Sequence, residues 1–232
     1  MKFKISEKIS EKYLELEISV ITARNLDNSK NNEEIQKKIR VVVEKIRSEI
    51  DSDKVAELPV IAKWREIYKS FGAKPGKYRN SAEALIKRVL KKDLYKINLL
   101  VDIYNYISIK YKMTVGGEDI DKLEGDLILD FADGNENFIP LGESENDYPW
   151  KGEVVYKDDR EVFCRCWNWR EGDRTKLTED TKNALIVIEN PAQIYDKVLC
   201  QAEDDLIKLL EDYCNAECKV WKLNNERREI EI

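Results

Sequence analysis

Residues 97–125 have the sequence INLLVDIYNYISIKYKMTVGGEDIDKLEG, and the fold prediction starts from this stretch. Apolar residues recur through its first half at helical spacing: Leu99, Leu100, Ile103, Ile107 and Tyr111. This spacing predicts a helix with one face packed inward, and Asp102 and Asn105 can emerge together at its edge because they lie three residues apart. The helix should break at Gly116 and Gly117, where the backbone is freer. Such a corner either lines a small pocket or only reverses the chain.

The composition is typical of a folded domain. The 232 residues are enough for one large domain, or for a domain with a smaller addition. Charged residues make up 37%, but both signs are interspersed, and hydrophobic residues reach 42%, which is enough for a core. No apolar run approaches the roughly 18 residues of a membrane helix, and the first residues lack the apolar segment of a secretory signal. We expect a cytoplasmic protein without membrane association.

Histidine is absent from the chain, which removes the commonest general base and every Ser-His or Cys-His triad. The five cysteines are an odd number and include no C-x-x-C pair, which favours free thiols over a zinc site. We therefore expect no metal and no cofactor. Any hydrolysis should depend on carboxylates, on a positioned water or on the substrate's own groups.

The charges are unevenly distributed along the chain. Residues 60–112 carry thirteen Lys and Arg against four Asp and Glu, whereas residues 116–162 carry four against fifteen. Within the basic part, Lys74, Lys77 and Arg79 share a Gly- and Pro-containing loop with Tyr78. Cations beside an aromatic ring on a turn suit contact with an RNA backbone and stacking of a base. Ordinary solvated faces are the alternative interpretation of this charge pattern.

The predicted elements occur in separate helical and strand-rich blocks. Helices are expected at 33–50, 58–71, 82–90 with Ser81 as its cap, and 192–214. Strands are expected at 13–20, 125–132, 138–142, 153–156, 161–166, 184–189, 218–223 and 229–232. This order favours an α+β fold, a mixed sandwich with helices outside, over a doubly wound nucleotide-binding fold.

Several segments resemble the B3/4 domain of phenylalanyl-tRNA synthetase beta subunits. They include WREIYKSFGAKPG at 64–76, INLLVDIYNY at 97–106 and FCRCWNWREGD at 163–173, together with residues 80–90 and 178–189. The resemblance covers about residues 58–192. It implies an α/β sandwich with helices packed around a central set of strands. We interpret residues 1–232 as a single such domain, with a strand–helix unit at 1–57 and a helix and strands at 193–232.

The resemblance implies a stand-alone tRNA-editing domain, which in the family hydrolyses tyrosine wrongly attached to the phenylalanine tRNA. Asn105 matches the asparagine of the family's V-D-x-x-N-Y helix beside the editing pocket. Glu189 matches the glutamate that recognises the tyrosine hydroxyl, and Thr181 precedes it. Gly116 and Gly117 occupy a segment that commonly carries a histidine, so this chain departs from the family there. The implied partner is tRNA or aminoacyl-tRNA, and no DNA is expected.

The predicted catalytic residues are Asn105 and Asn168, which could position water, and Gly116 and Gly117, whose N–H groups could stabilise an oxyanion. The predicted substrate-binding residues are Glu189, Thr181 and Arg165, and the predicted RNA-binding residues are Lys74, Lys77 and Arg79.

Two structural alternatives stay open at these positions. Asn105 could only brace the glycine turn, and Glu189 could form an ion pair with Arg165 or Arg170. At the level of function, the alternatives to ester hydrolysis are a non-catalytic module that binds RNA or a small molecule, and a structural or partner-binding role. The sequence therefore leaves open whether the protein is an enzyme.

Overall fold

The computed structural model describes residues 1–30, 33–192 and 196–232. The α-helices are α1 (Glu7–Lys12), α2 (Glu33–Glu49), α3 (Pro59–Ser70), α4 (Ser81–Val89), α5 (Leu99–Tyr111) and α6 (Asp196–Cys214). The strands are β1 (Lys2–Ile5), β2 (Glu17–Arg24), β3 (Thr114–Asp119), β4 (Leu127–Phe131), β5 (Val154–Lys157), β6 (Val162–Arg165), β7 (Arg170–Glu171), β8 (Ala184–Asn190), β9 (Glu217–Leu223) and β10 (Glu229–Glu231). Short 3-10 helices cover Ser52–Glu57 and Ile120–Lys122.

The strands form two sheets. One has the order β10-β1-β4-β5-β6-β7, and the other has the order β3-β8-β2-β9. Strands β1 and β4 run parallel, and the other pairs described run antiparallel. Strands from both ends of the chain enter these sheets, since β1 pairs with β10 and β2 pairs with β9. The predicted α+β class is confirmed.

Strand β2 shows how the layers are arranged. Its side chains alternate between the two faces of the sheet, as the pleat requires. Ile21 and Ala23 belong to a core that also contains apolar side chains of α2, α5 and α6. Ile18 and Val20 belong to a second core, which contains side chains of α3 and of the six-stranded sheet. The four-stranded sheet therefore lies between a helical layer and the other sheet.

The stretch at 97–125 forms a helix and then a strand, but the chain turns earlier than its glycines suggest. Asn98 caps α5 by accepting a hydrogen bond from the Val101 N–H at 3.0 Å. The helix ends at Lys112, which adopts the left-handed conformation with φ of 59°. Gly116 and Gly117 lie inside β3 and pair with Val187 and Ile186. The prediction that the helix breaks at the glycine pair is wrong, because Lys112 already makes the turn.

Other boundaries also differ from the sequence-based expectation. The strand expected at 13–20 lies at Glu17–Arg24, and the short elements β1 and α1 precede it. Asn80, not Ser81, caps α4, because its side chain accepts the Glu83 N–H at 2.9 Å. The strand expected at 138–142 is reduced to an isolated bridge between Pro140 and Gly172. Residues 193–195, in the expected first turn of α6, lie outside the described residues.

Candidate functional site

A cavity of about 30 Å³ lies between the two sheets. Four of the predicted site residues line it: Gly116, Gly117, Asn168 and Glu189. Further walls are apolar or aromatic side chains from both sheets, such as Phe3, Phe163 and Leu185. A cavity of this volume holds one or two water molecules, and the aromatic side chain of a tyrosine exceeds it.

Glu189 is held by side chains of the protein itself. Its Oε1 accepts a hydrogen bond from the Tyr156 hydroxyl, and its Oε2 accepts one from the Asn168 amide, both at 2.6 Å. Asn168 Oδ1 in turn accepts a hydrogen bond from the Tyr68 hydroxyl at 2.8 Å. Burial raises the pKa of Glu189, and these donors oppose that rise by stabilising the carboxylate. Both oxygens of the predicted substrate-recognition carboxylate are therefore already engaged.

A tight turn positions Asn168 at the cavity. Cys166 and Trp167, which follow β6, both adopt left-handed backbone conformations with φ of 45° and 64°. The Asn168 N–H then donates to the Cys166 carbonyl at 2.8 Å, which closes the turn. Non-glycine residues in this region are uncommon and cluster at functional sites, because the surrounding structure must hold them there.

Glu118 of β3 and Glu171 of β7 also line the cavity. Glu118 is only 6% exposed, and within the described residues neither carboxyl forms an ion pair. The Oε2 atoms of both are buried without a hydrogen-bond donor. Burial, followed by the charge of Glu171, raises the pKa of Glu118 well above its ordinary value, and burial also raises the pKa of Glu171. The sequence analysis did not select either residue.

Gly116 allows Glu171 to approach the backbone of β3. A Cβ atom at Gly116 would lie 3.3 Å from Glu171 Oε1, and a Cβ atom at Gly117 would lie 3.2 Å from the Leu185 carbonyl oxygen. Both distances are shorter than ordinary contacts to a Cβ atom. The glycine pair therefore provides close packing at the cavity wall rather than a turn.

Three other predicted site residues lie away from the lining of the cavity. Asn105 is buried within α5. The Thr181 hydroxyl donates to Asp119 Oδ2 at 2.8 Å and accepts the Thr178 N–H at 2.9 Å. Arg165 is the third, and its contacts are described next. The roles assigned to these residues stay predictions.

Arg165 is paired with a carboxylate outside the cavity. Its Nε and Nη2 donate to the two oxygens of Glu153 at 3.0 and 2.8 Å, and Glu153 is fully buried. Arg170 is paired with Glu143. The structural alternative, in which Glu189 forms an ion pair with Arg165 or Arg170, is therefore wrong.

The predicted RNA-binding loop borders a separate, open cleft of about 760 Å³. Lys74 and Lys77 line this cleft, whereas Arg79 is exposed outside its lining. The other charged and aromatic side chains that line it are Lys12, Lys151, Phe71, Tyr78, Phe131 and Trp150. The Lys77 ammonium lies 4.8 Å from the centre of the Tyr78 ring. No local pattern marks Lys12 or Lys151, because they come from distant parts of the chain.

In the described ranges, no group of three or more His, Cys, Asp and Glu side chains is placed to hold a metal ion. Among the same residues, no helix is both long enough and apolar enough to cross a lipid bilayer.

The fold and the cavity define a class of protein: an α+β domain with a small, carboxyl-lined cavity between two sheets. The chain belongs to the B3/4 domain family, whose model matches residues 63–215. The family resemblance seen in the sequence is thereby confirmed.

Two similar proteins are phenylalanyl-tRNA synthetase beta subunits. The phenylalanine–tRNA ligase beta subunit of Fusobacterium nucleatum subsp. nucleatum is 29% identical over 112 residues, which are 48% of this chain and 14% of that subunit. The crystal structure of an N-terminal fragment of the beta subunit from Pyrococcus horikoshii has a TM-score of 0.49 and 13% identity. That alignment covers 95% of this chain and 53% of the fragment. This chain therefore spans only a small part of the curated relative.

Proposed function

We propose that this chain, acting by itself in the cytoplasm, binds the aminoacyl end of a charged tRNA and hydrolyses the ester bond with a water held in the cavity. The observation that carries the proposal is the water-sized cavity lined by Glu118, Glu171 and Glu189 in a member of the B3/4 family. An aminoacyl ester is already activated, so the site has to orient water and stabilise the carbonyl oxygen rather than supply a nucleophile.

The proposed site divides these tasks between two walls. Asn168 and Glu189, which hydrogen-bond to each other, orient the water. Strand β3 is the outer strand of its sheet, so alternate N–H groups point away from β8. Gly116 and Gly117 are neighbours, and one of their two N–H groups is therefore free of sheet pairing and able to donate to an oxyanion.

The size of the cavity argues for a small aminoacyl group. The cavity has room for one or two waters, and the Tyr156 hydroxyl already donates to the carboxylate that would recognise a tyrosine substrate. A tyrosyl group would have to displace that hydroxyl and open the space between the sheets. We therefore propose that the substrate carries a side chain smaller than tyrosine.

The test is deacylation of a panel of tRNAs charged with glycine, alanine, serine, threonine, valine, phenylalanine or tyrosine. The purified chain should release small amino acids faster than the no-protein control, and tyrosine should be released slowest. Glu189→Gln should lower the rate, and Asn105→Ala tests the predicted role of Asn105. The exposed Glu179→Gln is the control. Rates equal to the no-protein rate across the whole panel would exclude this function.

The second candidate, a non-catalytic RNA-binding module, is favoured by the cleft that contains Lys74, Lys77 and Tyr78. Replacing Lys74, Lys77 and Arg79 together with glutamine should weaken tRNA binding. If all three contact phosphates, the slope of log affinity against log salt should fall by about 2. The matched control replaces Lys37, Arg40 and Lys45, three exposed cations of α2. Equal slopes for the two triple variants would contradict binding through this loop, and binding without any hydrolysis would favour the module over the enzyme.

A further inference from the structure

The carboxyl groups of Glu118 and Glu171 meet at the cavity wall without a compensating cation. Glu118 lies on β3 and Glu171 lies on β7, so each sheet supplies one glutamate of the pair. The Oε2 atoms of both side chains are buried and receive no hydrogen bond from any donor of the described chain. A buried carboxylate oxygen without a donor is costly, and two such carboxylates side by side are costlier still.

A single proton held between the two groups removes this cost. It makes one carboxyl neutral and provides the donor that the other lacks. The pKa directions agree with this arrangement. Burial raises the pKa of both carboxyls, and the neighbouring charge of Glu171 raises that of Glu118 further. Glu171 Oε1 is the carboxyl oxygen that lies beside Gly116, so we assign Glu171 as the acceptor of the pair and Glu118 as the acid.

We propose that Glu118 and Glu171 act as an acid–base pair in ester hydrolysis, an inference that rests on the function proposed above. The Glu171 carboxylate accepts a proton from the water as the water oxygen bonds to the ester carbonyl carbon. Glu118 donates its proton to the ribose oxygen as the carbon–oxygen ester bond breaks. The products are the free amino acid and the terminal hydroxyl of the tRNA. Transfer of one proton from Glu171 to Glu118 restores the starting state.

This pair supplies the acid–base chemistry that a chain without histidine would otherwise lack. Gly116 contributes by leaving space for the Glu171 carboxyl, whose Oε1 would lie 3.3 Å from a Cβ atom there. The reacting carbonyl would thus meet the free glycine N–H group and the acceptor carboxylate on the same side of the cavity.

The titratable and charged groups around the pair come from several elements. Cys164 of β6 pairs in register with Glu171 of β7, and burial followed by the charge of Glu171 raises the pKa of this thiol. Burial and then the two glutamates raise the pKa of Tyr104 of α5. Glu189 of β8 lines the same cavity, and Arg174 favours the charged form of Glu118 from a distance. None of these effects replaces the proton between the two glutamates, because Arg174 is engaged by Asp158 and Glu161.

The test compares Glu118→Gln, Glu171→Gln and the double variant on the fastest substrate of the tRNA panel, from pH 5 to pH 9. Each single variant should lower kcat by about 100-fold or more, with KM changed little. The double variant should be no slower than the singles, because the residues act as a unit. The wild-type rate should fall at both ends of the pH range, and each single variant should lose one of these two limbs. Glu203→Gln, which removes a buried carboxyl of α6 outside the cavity, should leave kcat within about twofold.

Thermal unfolding separates this role from a structural one. Glu118→Gln keeps a neutral side chain with an N–H donor beside the Glu171 carboxylate, so its Tm should equal or exceed that of the wild type while its rate falls. An active wild type whose Glu118 and Glu171 variants keep kcat within about twofold would overturn the acid–base pair and leave the proposed function standing. Variants whose rate falls only as far as their Tm falls would also overturn it. A wild type inactive on every charged tRNA would overturn both proposals.

Discussion

Glu153 and Glu118 are both buried glutamates, but their surroundings differ. Glu153 accepts hydrogen bonds from Arg165 Nε and Nη2 and from the backbone N–H groups of Cys166 and Trp150, at 2.8 to 3.1 Å. Glu118 has a second carboxyl group, that of Glu171, as its neighbour, and one of its oxygens has no donor. Cys164 and Arg165 are neighbours on β6, so their side chains point to opposite faces of the sheet. Arg165 contacts Glu153, and Cys164 pairs in register with Glu171.

The surroundings of Glu153 show that this fold can provide a buried carboxylate with a cation and with backbone hydrogen-bond donors. An acid that accepts hydrogen bonds from an arginine and from two backbone N–H groups holds the β5–β6 region together. An acid whose neighbour is another acid keeps a proton that can be transferred. The first arrangement stabilises the fold, whereas the second is costly to the fold and is characteristic of reactive sites.

The largest effect is expected at Glu153, the buried glutamate that is paired with an arginine. Arg165→Leu leaves the Glu153 carboxylate buried without its cation, which should lower the free energy of unfolding by about 3–5 kcal/mol. Urea unfolding measures the change. The control Arg160→Leu breaks the exposed pair with Glu124 and should change the free energy of unfolding much less, because solvent screens that pair. Equal losses for the two variants would show that burial of Glu153 adds nothing.

An intermediate effect is expected at Glu189, which lines the cavity but, like Glu153, accepts hydrogen bonds from neighbouring side chains. Tyr156→Phe removes the hydroxyl that donates to Glu189 Oε1 at 2.6 Å. The buried carboxylate oxygen then lacks a donor, which should cost about 1–3 kcal/mol in urea unfolding. Tyr148→Phe, at an exposed tyrosine, should cost nearly nothing. If Tyr156→Phe is as stable as the wild type, the hydrogen bond does not hold Glu189 in place.

A buried acid with a cationic partner and a buried acid beside another acid should change the stability of the fold in opposite directions as the pH changes. Although burial alone would raise it, the pKa of Asp158 is lowered by Arg174 and three backbone N–H groups, so its stabilising effect is lost as the pH falls. The pKa of Glu118 is raised by burial and by Glu171, so the folded state binds more protons than the unfolded state above the ordinary value of 4.5. Stability should therefore fall as the pH rises from that value. Glu118→Gln should flatten this decline in urea unfolding at several pH values, and an unchanged decline would count against a raised pKa.

The smallest effect is expected at the glycine beside the pair. Gly116→Ala places a Cβ atom 3.3 Å from Glu171 Oε1, and the carboxyl must move slightly, at a cost of about 0.5–1 kcal/mol. Gly76→Ala is the matched control, because a Cβ atom there would meet no atom within 4 Å. Thermal unfolding of the two variants gives the comparison. A loss at Gly76 as large as that at Gly116 would remove the evidence for close packing of Glu171.

Elements that have a clear pattern within their own residues were predicted from the sequence. The apolar run of β8, the spacing in α5 and the hairpin of β5 and β6 were all predicted close to their positions. Strand β1 was missed because four residues give little pattern, and it is held by β4 and β10, which lie far away in the chain. The turn at Lys112 was assigned to the glycines, because a lysine in a left-handed conformation has no sequence signature.

The site was predictable only in part, for a similar reason. The family resemblance selected Glu189, and Asn168 was predicted to position water; both line the cavity. Glu118 and Glu171 are 53 positions apart, and only the packing of the two sheets brings them together. Arg165 was assigned to the substrate, but antiparallel pairing of β5 and β6 places it beside Glu153. Residues that meet only through tertiary packing have no characteristic spacing in the sequence.

The most direct test of the account is the protonation state of Glu118 and Glu171. Side-chain carboxyl signals of ¹³C-labelled glutamate can be followed from pH 3 to pH 9 by NMR and assigned with Glu118→Gln and Glu171→Gln. If Glu118 and Glu171 form the proposed acid–base pair, they should still hold one proton between them at neutral pH. In either variant, the remaining carboxyl should titrate at a lower pH. Two carboxyls that are both ionised by pH 6 in the wild type would contradict it.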